Sequence, residues 1–573
     1  MWRLILAFLS LSVVCCQSEL FRDDIRSPEN VANVHRLIEE KRQREEQQQR
    51  PQDVRQPQVQ VVPSVQHSEL HPDQQLHQAP SVPFPTLAPL QSPSLVSGFA
   101  SQSDPVNPRF GASAIKQPYP ISSGLGATHV DLATSEQISR SVLLFAYNLG
   151  QHMGIRKTEI FSPLSIVHSL ALLYLGARER SYNELAAVFK IEDTNKLHQQ
   201  FGLMLQDLQQ PTLDQVSPGR PLTNWRATSP MRANRKSQRP GAHEVHLANG
   251  LFTATGFTLN PDYRTVLTEL YGAELEVQDF EGNPATSTYN INRWVAEHTR
   301  GHIKNIIASE IPQSTRMILA NALYFRGFWE TDFIESATRP DNFYPNGEGT
   351  QPVLRVQLMA TGGTFPYHED EQLGCRIIGL PYRGNLSTMY IIQPLKSSKV
   401  ELMALQRRLS PERIEELISR MYRRSAIVAI PKMHLTESVN LKTMMQNMGL
   451  GGIFSTVEND LSLIASHETR ASARRRAVTT NSLGGNSLQN LEAQRRAPGG
   501  AHSDLVVDDI VHKVDFNVNE QGTEAAAATI TYLKKSGPDV IFRVDTPFMV
   551  LVRHDPTKLV LFYGLINEPP ATY

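Results

Sequence analysis

The sequence predicts an α+β fold for residues 129–573, because segments with helical and with strand-like patterns are interleaved along this part of the chain. Residues 132–154 repeat apolar side chains at the spacing of an amphipathic helix. Residues 317–325 are apolar almost throughout, which is typical of a strand buried on both faces. Two strand-like runs, 548–553 and 559–566, flank a short polar turn and predict a hairpin.

Single residues strengthen this assignment. Ser162 fits the N-cap of a long apolar helix, and Pro163 fits its first helical position. Asn321 lies inside the apolar strand and must therefore have a hydrogen-bond partner. Further helices are predicted at 178–191, 195–210, 263–271, 289–307, 411–420 and 441–448. Further strands are predicted at 159–161, 244–253, 365–393, 426–435 and 510–518.

The N-terminal part differs from the rest in composition. Residues 1–16 have a short basic start, an apolar core and small residues before Gln17, which predicts a secretory signal peptide. A signal anchor or a buried helix is the alternative. Residues 17–128 are rich in Gln and Pro without a sustained period, so we expect a disordered extension that buries too little apolar surface to fold. A tether, a partner segment and a processed extension are all consistent with it.

Charge and cysteine content limit the function classes. The formal net charge of −1 predicts no overall attraction to nucleic acid or to a membrane. Cys15 and Cys16 leave with the signal peptide, so Cys375 is alone. Because it lies in a strand-like run, we expect a buried, unreactive thiol, with intermolecular pairing as the alternative.

Two basic segments interrupt the pattern, at about 211–242 and 466–502. We interpret both as solvated surface insertions, and binding of a heparin-like polyanion is the alternative. The basic residues of the first are Arg220, Arg226, Arg232, Arg235, Lys236 and Arg239, and those of the second are Arg470, Arg474, Arg475, Arg476, Arg495 and Arg496.

The sequence lacks the common catalytic motifs: Gly-x-Ser-x-Gly, the phosphate-binding Gly-x4-Gly-Lys, His-Glu-x-x-His and Cys-x-x-Cys are all absent. His243 and His246 come nearest to a metal pair, but residues three apart in a strand point to opposite faces. We therefore expect neither an enzyme nor a bound metal or cofactor.

The segment 518–529 contains four consecutive alanines, which by themselves favour a helix. An extended conformation is the alternative, because a Gly precedes the run and Thr529 and Ile530 follow it. In that conformation Thr523, Ala525 and Ala527 share one face, and Glu524 points to solvent. Nothing bulky or cyclic would then prevent this segment from entering between two strands of an existing sheet.

Several motifs occur in order along the chain. They are Phe161-Ser162-Pro163-Leu164-Ser165, Asn292-x-Trp294-Val295 with Thr299 and Ile303, Asn321-Ala322-Leu323-Tyr324-Phe325-Arg326-Gly327-x-Trp329, Pro431-Lys432, the 518–529 segment, and Asp545-Thr546-Pro547-Phe548 with Asn567-Glu568-Pro569. In order and spacing, apart from the two insertions, this set resembles the serpins. The resemblance implies a fold of three β-sheets and about nine helices with an exposed reactive-centre loop.

The resemblance also implies a suicide inhibitor. A target protease cuts the loop, whose N-terminal half then adds a strand to the central sheet. Roughly a dozen new backbone pairings at about 1 kcal/mol each give on the order of 10 kcal/mol for this change. Distortion of the acylated protease removes oxyanion donors, each worth about 100- to 1000-fold in rate, so deacylation stalls. A non-inhibitory binding or carrier protein, whose loop is cut without trapping anything, is the alternative.

Site residues follow from the resemblance, residue by residue. Thr523 is implied to insert first. The hinge corresponds to Gly522, Thr523, Glu524, Ala525, Ala526, Ala527 and Ala528. The charge pair beside Trp329, where insertion starts, corresponds to Glu520 and Lys432. The polar cluster under the central strands corresponds to Ser162, Ser165, Asn321 and His512.

The scissile bond has three candidates. The usual loop length counted from Glu520 places the cut between Ser536 and Gly537. Trypsin-like specificity favours Lys535–Ser536, which is our preferred assignment, and Lys534–Lys535 is the third candidate. The implied partner is an extracellular trypsin-like serine protease, and the resemblance extends to insect haemolymph serpins that act in immune and melanisation cascades.

Asn385-Leu386-Ser387 is an acceptor sequence for N-glycosylation in a predicted hairpin turn. Together with the predicted signal peptide, this predicts a secreted glycoprotein, and a monomer is the default expectation.

Overall fold

The computed structural model describes residues 125–152, 158–210, 212–227, 243–384, 386–466, 486–497, 504–522 and 537–571. The predicted signal peptide and all but the end of the 17–128 extension lie outside these ranges. The α-helices are α1 Leu132–Gly150, α2 Pro163–Gly176, α3 Glu179–Phe189, α4 Thr194–Leu208, α5 Asn224–Ala227, α6 Pro261–Tyr271, α7 Pro284–His298, α8 Lys399–Arg408, α9 Pro411–Ser419, α10 Leu441–Asn447 and α11 Ser487–Arg496.

The strands form three sheets, which confirms the predicted α+β fold. Of the eleven α-helices in the described ranges, α5 and α11 lie in the two insertions, and the other nine match the number implied by the resemblance. The strands are β1 Glu159–Phe161, β2 Glu244–Ala254, β3 Thr258–Leu259, β4 Glu274–Gln278, β5 Met317–Arg326, β6 Ile334–Phe343, β7 Leu354–Asp370, β8 Cys375–Pro381, β9 Ser387–Pro394, β10 Tyr422–Pro431, β11 Met433–Asn440, β12 Ala465–Ser466, β13 Asp509–Val518, β14 Val540–Arg543, β15 Phe548–His554 and β16 Leu559–Ile566.

The five-stranded sheet has the order β11-β13-β5-β2-β4. Neighbours are antiparallel at β11–β13 and β5–β2, and parallel at β13–β5 and β2–β4. Every residue of β5 from Met317 to Phe325 is buried, so the apolar run is a strand covered on both faces, as predicted. In β13 every second residue from Ile510 to Val518 is buried, as expected for a strand with one face toward the core.

The nine-stranded sheet has the order β1-β16-β15-β9-β8-β7-β10-β14, with β6 also paired to β7. The predicted C-terminal hairpin is β15 and β16, and both strands are completely buried. β1 pairs with β16, so strands from opposite ends of the domain are neighbours. The Thr158 hydroxyl donates to the Glu568 carbonyl at 2.7 Å across 410 residues of sequence. β3 and β12 form the two-stranded sheet.

Helix α2 contacts both large sheets: β16 on one side, and β2 and β5 on the other. All 14 of its residues are buried, which explains why the segment is apolar all round. It begins as predicted, with Pro163 in the first turn and the Ser162 hydroxyl accepting the Ser165 N–H at 3.2 Å. Throughout the described part of the chain, no helix combines the length and apolar character needed to cross a bilayer.

The single strand predicted at 426–435 is wrong, because these residues belong to two strands in two different sheets. β10 ends at Pro431 and pairs with β7, whereas β11 begins at Met433 and pairs with β13. Lys432 is the only residue between them, and its backbone N–H donates to the Gln357 carbonyl at 2.8 Å. At this point the chain passes from one large sheet to the other through a single residue.

The helix predicted at 289–307 ends at His298. The Thr299 hydroxyl donates to the Val295 carbonyl at 2.8 Å and accepts the Ile303 N–H at 3.2 Å. This side-chain bonding competes with the helical backbone pattern. The apolar residues after it therefore continue the spacing without continuing the helix.

The interpretation of both insertions as solvated loops is wrong for the parts that the structure describes. In the first insertion, Trp225 of α5 is fully buried, and Arg220 pairs with Asp207 at 2.8 Å with both side chains buried. In the second, α11 buries Leu488 and Leu491. Except for Arg220, Arg226, Arg495 and Arg496, the basic residues of the insertions lie outside the described ranges.

A buried polar network centred on Asp555 holds the first insertion to the C-terminal hairpin. One carboxylate oxygen accepts hydrogen bonds from Arg226 at 2.9 Å and from the Thr388 hydroxyl at 2.6 Å. The other accepts the Tyr390 hydroxyl at 2.8 Å. The side chains of Arg226 and Asp555 are only 5% and 2% exposed, so neither charge has an alternative partner in solvent.

We predict that Asp555→Ala destabilises the native protein by about 3–5 kcal/mol, because it leaves the Arg226 charge buried without its partner. Chemical denaturation followed by tryptophan fluorescence measures the loss. The control is Asp214→Ala, which removes an exposed aspartate in the same insertion. Equal, small effects of the two substitutions would contradict the central role of Asp555.

Candidate functional site

The candidate site is the junction between β13 and β5, which we call the seam. The two strands are parallel and pair over six positions, from Asp509 opposite Ile318 to Val514 opposite Leu323. β13 continues to Val518 and β5 to Arg326, but their mutual register does not. Over the same stretch, each strand still pairs with its outer neighbour, β11 or β2. The seam is thus closed at one end and open at the other.

Lys432 and Glu520 form the predicted ion pair at the open end. The Lys432 ammonium donates to both carboxylate oxygens of Glu520, at 3.0 and 3.2 Å. The Thr338 hydroxyl of β6 also donates to Glu520, at 2.9 Å. The sequence analysis missed Thr338, because β6 is largely exposed and carries no motif. The Glu520 carboxylate therefore connects the turn after β13 to Lys432, the residue between β10 and β11.

The ionisation of Glu520 is set by competing effects. Burial alone would raise its pKa, but hydrogen bonds from its own backbone N–H, from Lys432 and from Thr338 outweigh burial and lower the pKa. The carboxylate is therefore charged at neutral pH, and the pair with Lys432 is maintained.

Trp329 holds the turn that follows β13, as its predicted place beside the charge pair implies. Its indole N–H donates to the Asn519 carbonyl at 2.9 Å, and its backbone N–H donates to the Gln521 carbonyl at 3.1 Å. Its ring stacks on Tyr382 with centroids 4.5 Å apart. The turn is thereby attached to Trp329, a residue that is only 1% exposed.

Gly522, the first hinge residue, has a backbone conformation that favours glycine. Its φ is +142°, and it forms a β-bridge with Phe328. A Cβ at this position would lie 2.0 Å from the Gly327 carbonyl oxygen. That atom belongs to the backbone and cannot rotate away, so a side chain here requires a shift of the chain.

The predicted polar cluster lies on the paired part of the seam. His512 of β13 and Asn321 of β5 are directly opposite, and Nδ1 of His512 is hydrogen-bonded to Oδ1 of Asn321. The Ser165 hydroxyl is 3.4 Å from both of these atoms. Nε2 of His512 accepts the Ser162 N–H at 3.1 Å. The four residues therefore meet, and they join both strands of the seam to the start of α2.

His512 is neutral in this arrangement. Nε2 accepts a backbone N–H and so carries no proton, which places the proton on Nδ1, facing the Asn321 carbonyl oxygen. Burial lowers the pKa of His512 to about 3. Asn321 has the predicted hydrogen-bond partner at its Oδ1, whereas its Nδ2 has no hydrogen-bond partner among the described residues.

Part of the predicted site lies outside the described residues: Thr523, Glu524, Ala525, Ala526, Ala527, Ala528, Lys534, Lys535, Ser536 and the glycosylation site Asn385. The segment that contains the hinge and the scissile candidates is bracketed by Gly522 and Gly537. Gly537 precedes β14, which pairs in parallel with β10 at the edge of the nine-stranded sheet. The loop therefore leaves one large sheet at the open end of the seam and joins the other.

The remaining candidate residues do not form a reactive site. His243 bonds to the Leu208 carbonyl at 3.0 Å, while the ring of His246 stacks on Tyr324. Among the described residues, no group of three or more His, Cys, Asp and Glu side chains is placed to hold a metal ion. Cys375 is a buried free thiol, as predicted, and burial raises its pKa to about 12.

In the described residues, three sheets and nine helices outside the insertions match the sheets and helices that the resemblance to serpins implies. The family described as Serpin (serine protease inhibitor) matches residues 141–569, and the chain belongs to this family. It is 66% identical over 572 residues to serine protease inhibitor 28Dc of Drosophila melanogaster, with 100% of both chains covered. It is 29% identical over 441 residues to antithrombin-III of Mus musculus, covering 76% of this chain and 82% of that protein. The solved structure of Serpin48 of Tenebrio molitor matches with a TM-score of 0.57 and 23% identity, over 77% of this chain and 99% of that one.

We predict that His512 makes the protein less stable in acid. Because its pKa is about 3 when folded and about 6.5 when unfolded, the unfolded state binds more protons between these values. The free energy of unfolding therefore falls as the pH is lowered from about 6.5 toward 3, by at most about 1.4 kcal/mol per pH unit from this residue. Thermal midpoints between pH 7 and pH 4 measure the dependence, which should be shallower in His512→Gln.

His168 and His198 are buried with pKa values lowered to about 3, so they contribute in the same direction in wild type and variant. The matched control is His434→Gln, which changes a histidine on the same sheet whose side chain is 58% exposed. Parallel pH curves for wild type and His512→Gln would show that His512 is not the titrating group.

We predict that Gly522→Ala lowers the thermal midpoint more than Gly537→Ala does. Both glycines have positive φ, at +142° and +81°, but only Gly522 has backbone atoms where the new methyl group would lie. A strained φ alone costs about 1 kcal/mol, and the clash at Gly522 adds to it. Differential scanning calorimetry of the uncut proteins gives the comparison, and equal midpoints would refute the proposed packing of the hinge.

Proposed function

We propose that this chain is a secreted inhibitory serpin that traps a trypsin-like serine protease as a covalent acyl complex by inserting its reactive-centre loop into the seam. The open end of the seam is the observation that supports this most strongly. There, β13 and β5 continue beyond Val514 and Leu323 without pairing with each other, and β13 then leads to Gly522, where the loop begins. A sheet that parts between two strands offers two edges to a third strand.

The direction of the chain supports insertion at this place. The chain leaves β13 at Val518 and turns through Glu520 to Gly522. A segment that runs back from there along the seam is antiparallel to β13. Since β13 and β5 are parallel, it is antiparallel to β5 as well. One parallel contact is thus replaced by two antiparallel ones, which are more stable per residue.

The hinge composition supports insertion over simple cleavage. Residues 525–528 are alanines, which fit between two strands that are already packed. In an extended segment Glu524 would lie on the alternate face, and neither Pro nor a large apolar side chain occurs from 522 to 528. A carrier protein would not require a segment of this composition. If the chain is a carrier protein, a protease would cut its loop without being trapped.

We propose Lys535–Ser536 as the scissile bond. The protease serine Oγ attacks the Lys535 carbonyl carbon and forms the acyl ester, the peptide bond breaks, and the Ser536 nitrogen takes up a proton as the new N-terminus. Ser536–Gly537 and Lys534–Lys535 are the alternatives. Secretion and glycosylation at Asn385 belong to the same proposal and rest on the predicted signal peptide and the acceptor sequence. A monomeric state is the default, and a role in an extracellular immune or melanisation cascade rests on the sequence resemblance.

Polyanion binding receives less support. Arg220, Arg226 and Arg495 form ion pairs in which their side chains are at most 8% exposed, so they add little positive charge to the surface. A heparin-binding role is proposed only for the basic residues outside the described ranges. Inhibition rates that are insensitive to heparin would remove it.

The test is to mix the mature protein with trypsin at equal molarity and analyse the products on a denaturing gel and by intact mass. We expect a stable species of summed mass and a released peptide that begins at Ser536. A peptide beginning at Gly537 keeps the mechanism and moves the site to Ser536, with an elastase- or chymotrypsin-like target. A peptide beginning at Lys535 would make Lys534 the residue before the cut.

Thr523→Arg tests insertion directly, because it places a charged side chain on the first residue to enter the sheet. We expect cleavage at the same bond with little or no covalent complex. Glu524→Arg is the matched control, since it adds the same side chain one residue later on the solvent face and should retain trapping. Clean cleavage of the wild type, with no gain in thermal midpoint after cutting, would overturn the inhibitory proposal and leave the binding or carrier protein.

A further inference from the structure

The second insertion is docked onto the helical core through α11. Leu488 and Leu491 are 2% and 1% exposed and belong to the main core. On the facing helix α6, the Asp262 carboxylate accepts hydrogen bonds from Asn490 at 3.2 Å and from Gln494 at 3.0 Å. An Asn486 capping box fixes the start of α11. The contacts are those of an integral element of the fold.

The last turn of α11 places Arg495 at the C-terminal end of α2. Its guanidinium donates to the carbonyls of Leu175 at 2.9 Å and Ala177 at 3.2 Å, with a longer contact to Tyr174 at 3.4 Å. The guanidinium also pairs with Glu492 and lies over the Tyr182 ring, 4.8 Å from its centroid. Its side chain is 8% exposed.

This position matches a need of α2. The last carbonyls of a helix have no partner within the helix, and the partial negative charge there favours a cation. α2 has no basic residue of its own in its last turn, and every residue of it is buried. Arg495 therefore provides both the hydrogen bonds and the charge. In return, Arg178, which follows α2, donates to the Ala497 carbonyl at 2.7 Å.

The other end of α2 lies at the seam. Ser162 and Ser165, at its start, bond to His512 of β13 and Asn321 of β5. α2 is thus held at one end by the strands that must separate and at the other by the insertion. When the seam opens, the bonds at the first end must rearrange, and the freedom of α2 to follow depends on the second end.

We propose that Arg495 is a positioning residue through which the second insertion holds α2 in place and thereby slows the opening of the seam. It touches neither the loop nor a protease and acts only through α2. The inference rests on the proposed function, since it concerns the rate of the same strand insertion. It assigns to the insertion a role in setting how readily the protein converts to its inserted form.

The test measures strand insertion without a protease. A synthetic peptide of residues 523–534 is added to the uncut full-length protein, and insertion is followed by tryptophan fluorescence and by the rise in thermal midpoint. We expect Arg495→Ala to take up the peptide about tenfold faster than wild type, because the substitution removes buried, charged hydrogen-bond donors that we propose contribute to the activation barrier for insertion. Arg495→Lys keeps the charge but not the paired N–H geometry of the guanidinium, so its rate of peptide uptake should lie between those of wild type and Arg495→Ala.

The matched control is Arg496→Ala. Arg496 is adjacent, pairs with the same Glu492 and is 78% exposed, so its loss should leave the insertion rate unchanged. Thermal midpoints of the uncut and loop-cleaved proteins provide the second readout. We expect Arg495→Ala to lower the midpoint of the uncut form more than that of the cleaved form.

The outcomes separate this inference from the proposed function. If wild type takes up the peptide and gains stability on loop cleavage, but Arg495→Ala shows the same uptake rate, the inference is overturned and the proposed function stands. Equal loss of stability in uncut and cleaved Arg495→Ala, with an unchanged rate, would likewise reduce Arg495 to a structural role. If wild type shows neither uptake nor gain on cleavage, the proposed function itself fails.

Discussion

The structure depends on a partial contact between two parallel strands. β13 and β5 pair over six positions and then separate, although each remains paired on its other side. Parallel pairing is less stable per residue than antiparallel pairing, so this junction inside the sheet is weaker per residue than its antiparallel neighbours β11–β13 and β5–β2. Around that junction, the protein concentrates polar contacts: the Lys432–Glu520 pair at the open end and the His512–Asn321–Ser165 cluster on the closed part. In the proposed function, these contacts would keep one edge available without letting the seam open freely.

Three buried titratable groups described above are tolerated because each is either neutral or paired. His512 is buried and neutral, Glu520 is charged and held by three donors, and Asp555 receives hydrogen bonds from Arg226, Thr388 and Tyr390. Such networks tie together segments that are remote in the sequence, and their strength depends on complete partnering. The two insertions use the same principle, since each is attached to the core by arginines that lie in buried or nearly buried pairs.

Local sequence signals predicted most of the fold and the described part of the site. The N-cap at Ser162, the apolar strand β5 and the C-terminal hairpin follow from spacing and burial, and the motifs grouped Glu520 with Lys432 and His512 with Asn321, which are in contact in the structure. Three features were beyond this reasoning, each for a physical reason. The division at Lys432 between two sheets interrupts the apolar strand-like pattern only at Pro431, Thr338 acts through a contact with Glu520, 182 residues away, and Arg226 is buried against Asp555, 329 residues away. The amino-acid composition shows that the two insertions are basic, but it does not identify the acidic residues that pair with their arginines.

The pairing of β1 with β16 has a consequence for biosynthesis. β16 lies between β1 and β15 inside the nine-stranded sheet, and Thr158 and Glu568 close the contact across 410 residues. A ribosome that adds about 5–20 residues per second exposes β1 and α2 long before their neighbour exists. Non-local pairings of this kind form late and leave apolar edges accessible in the meantime. A stop codon shortly before β16 would therefore remove an interior strand and leave β1 without its partner, so that quality control in the cell meets an open sheet and not merely a shortened protein.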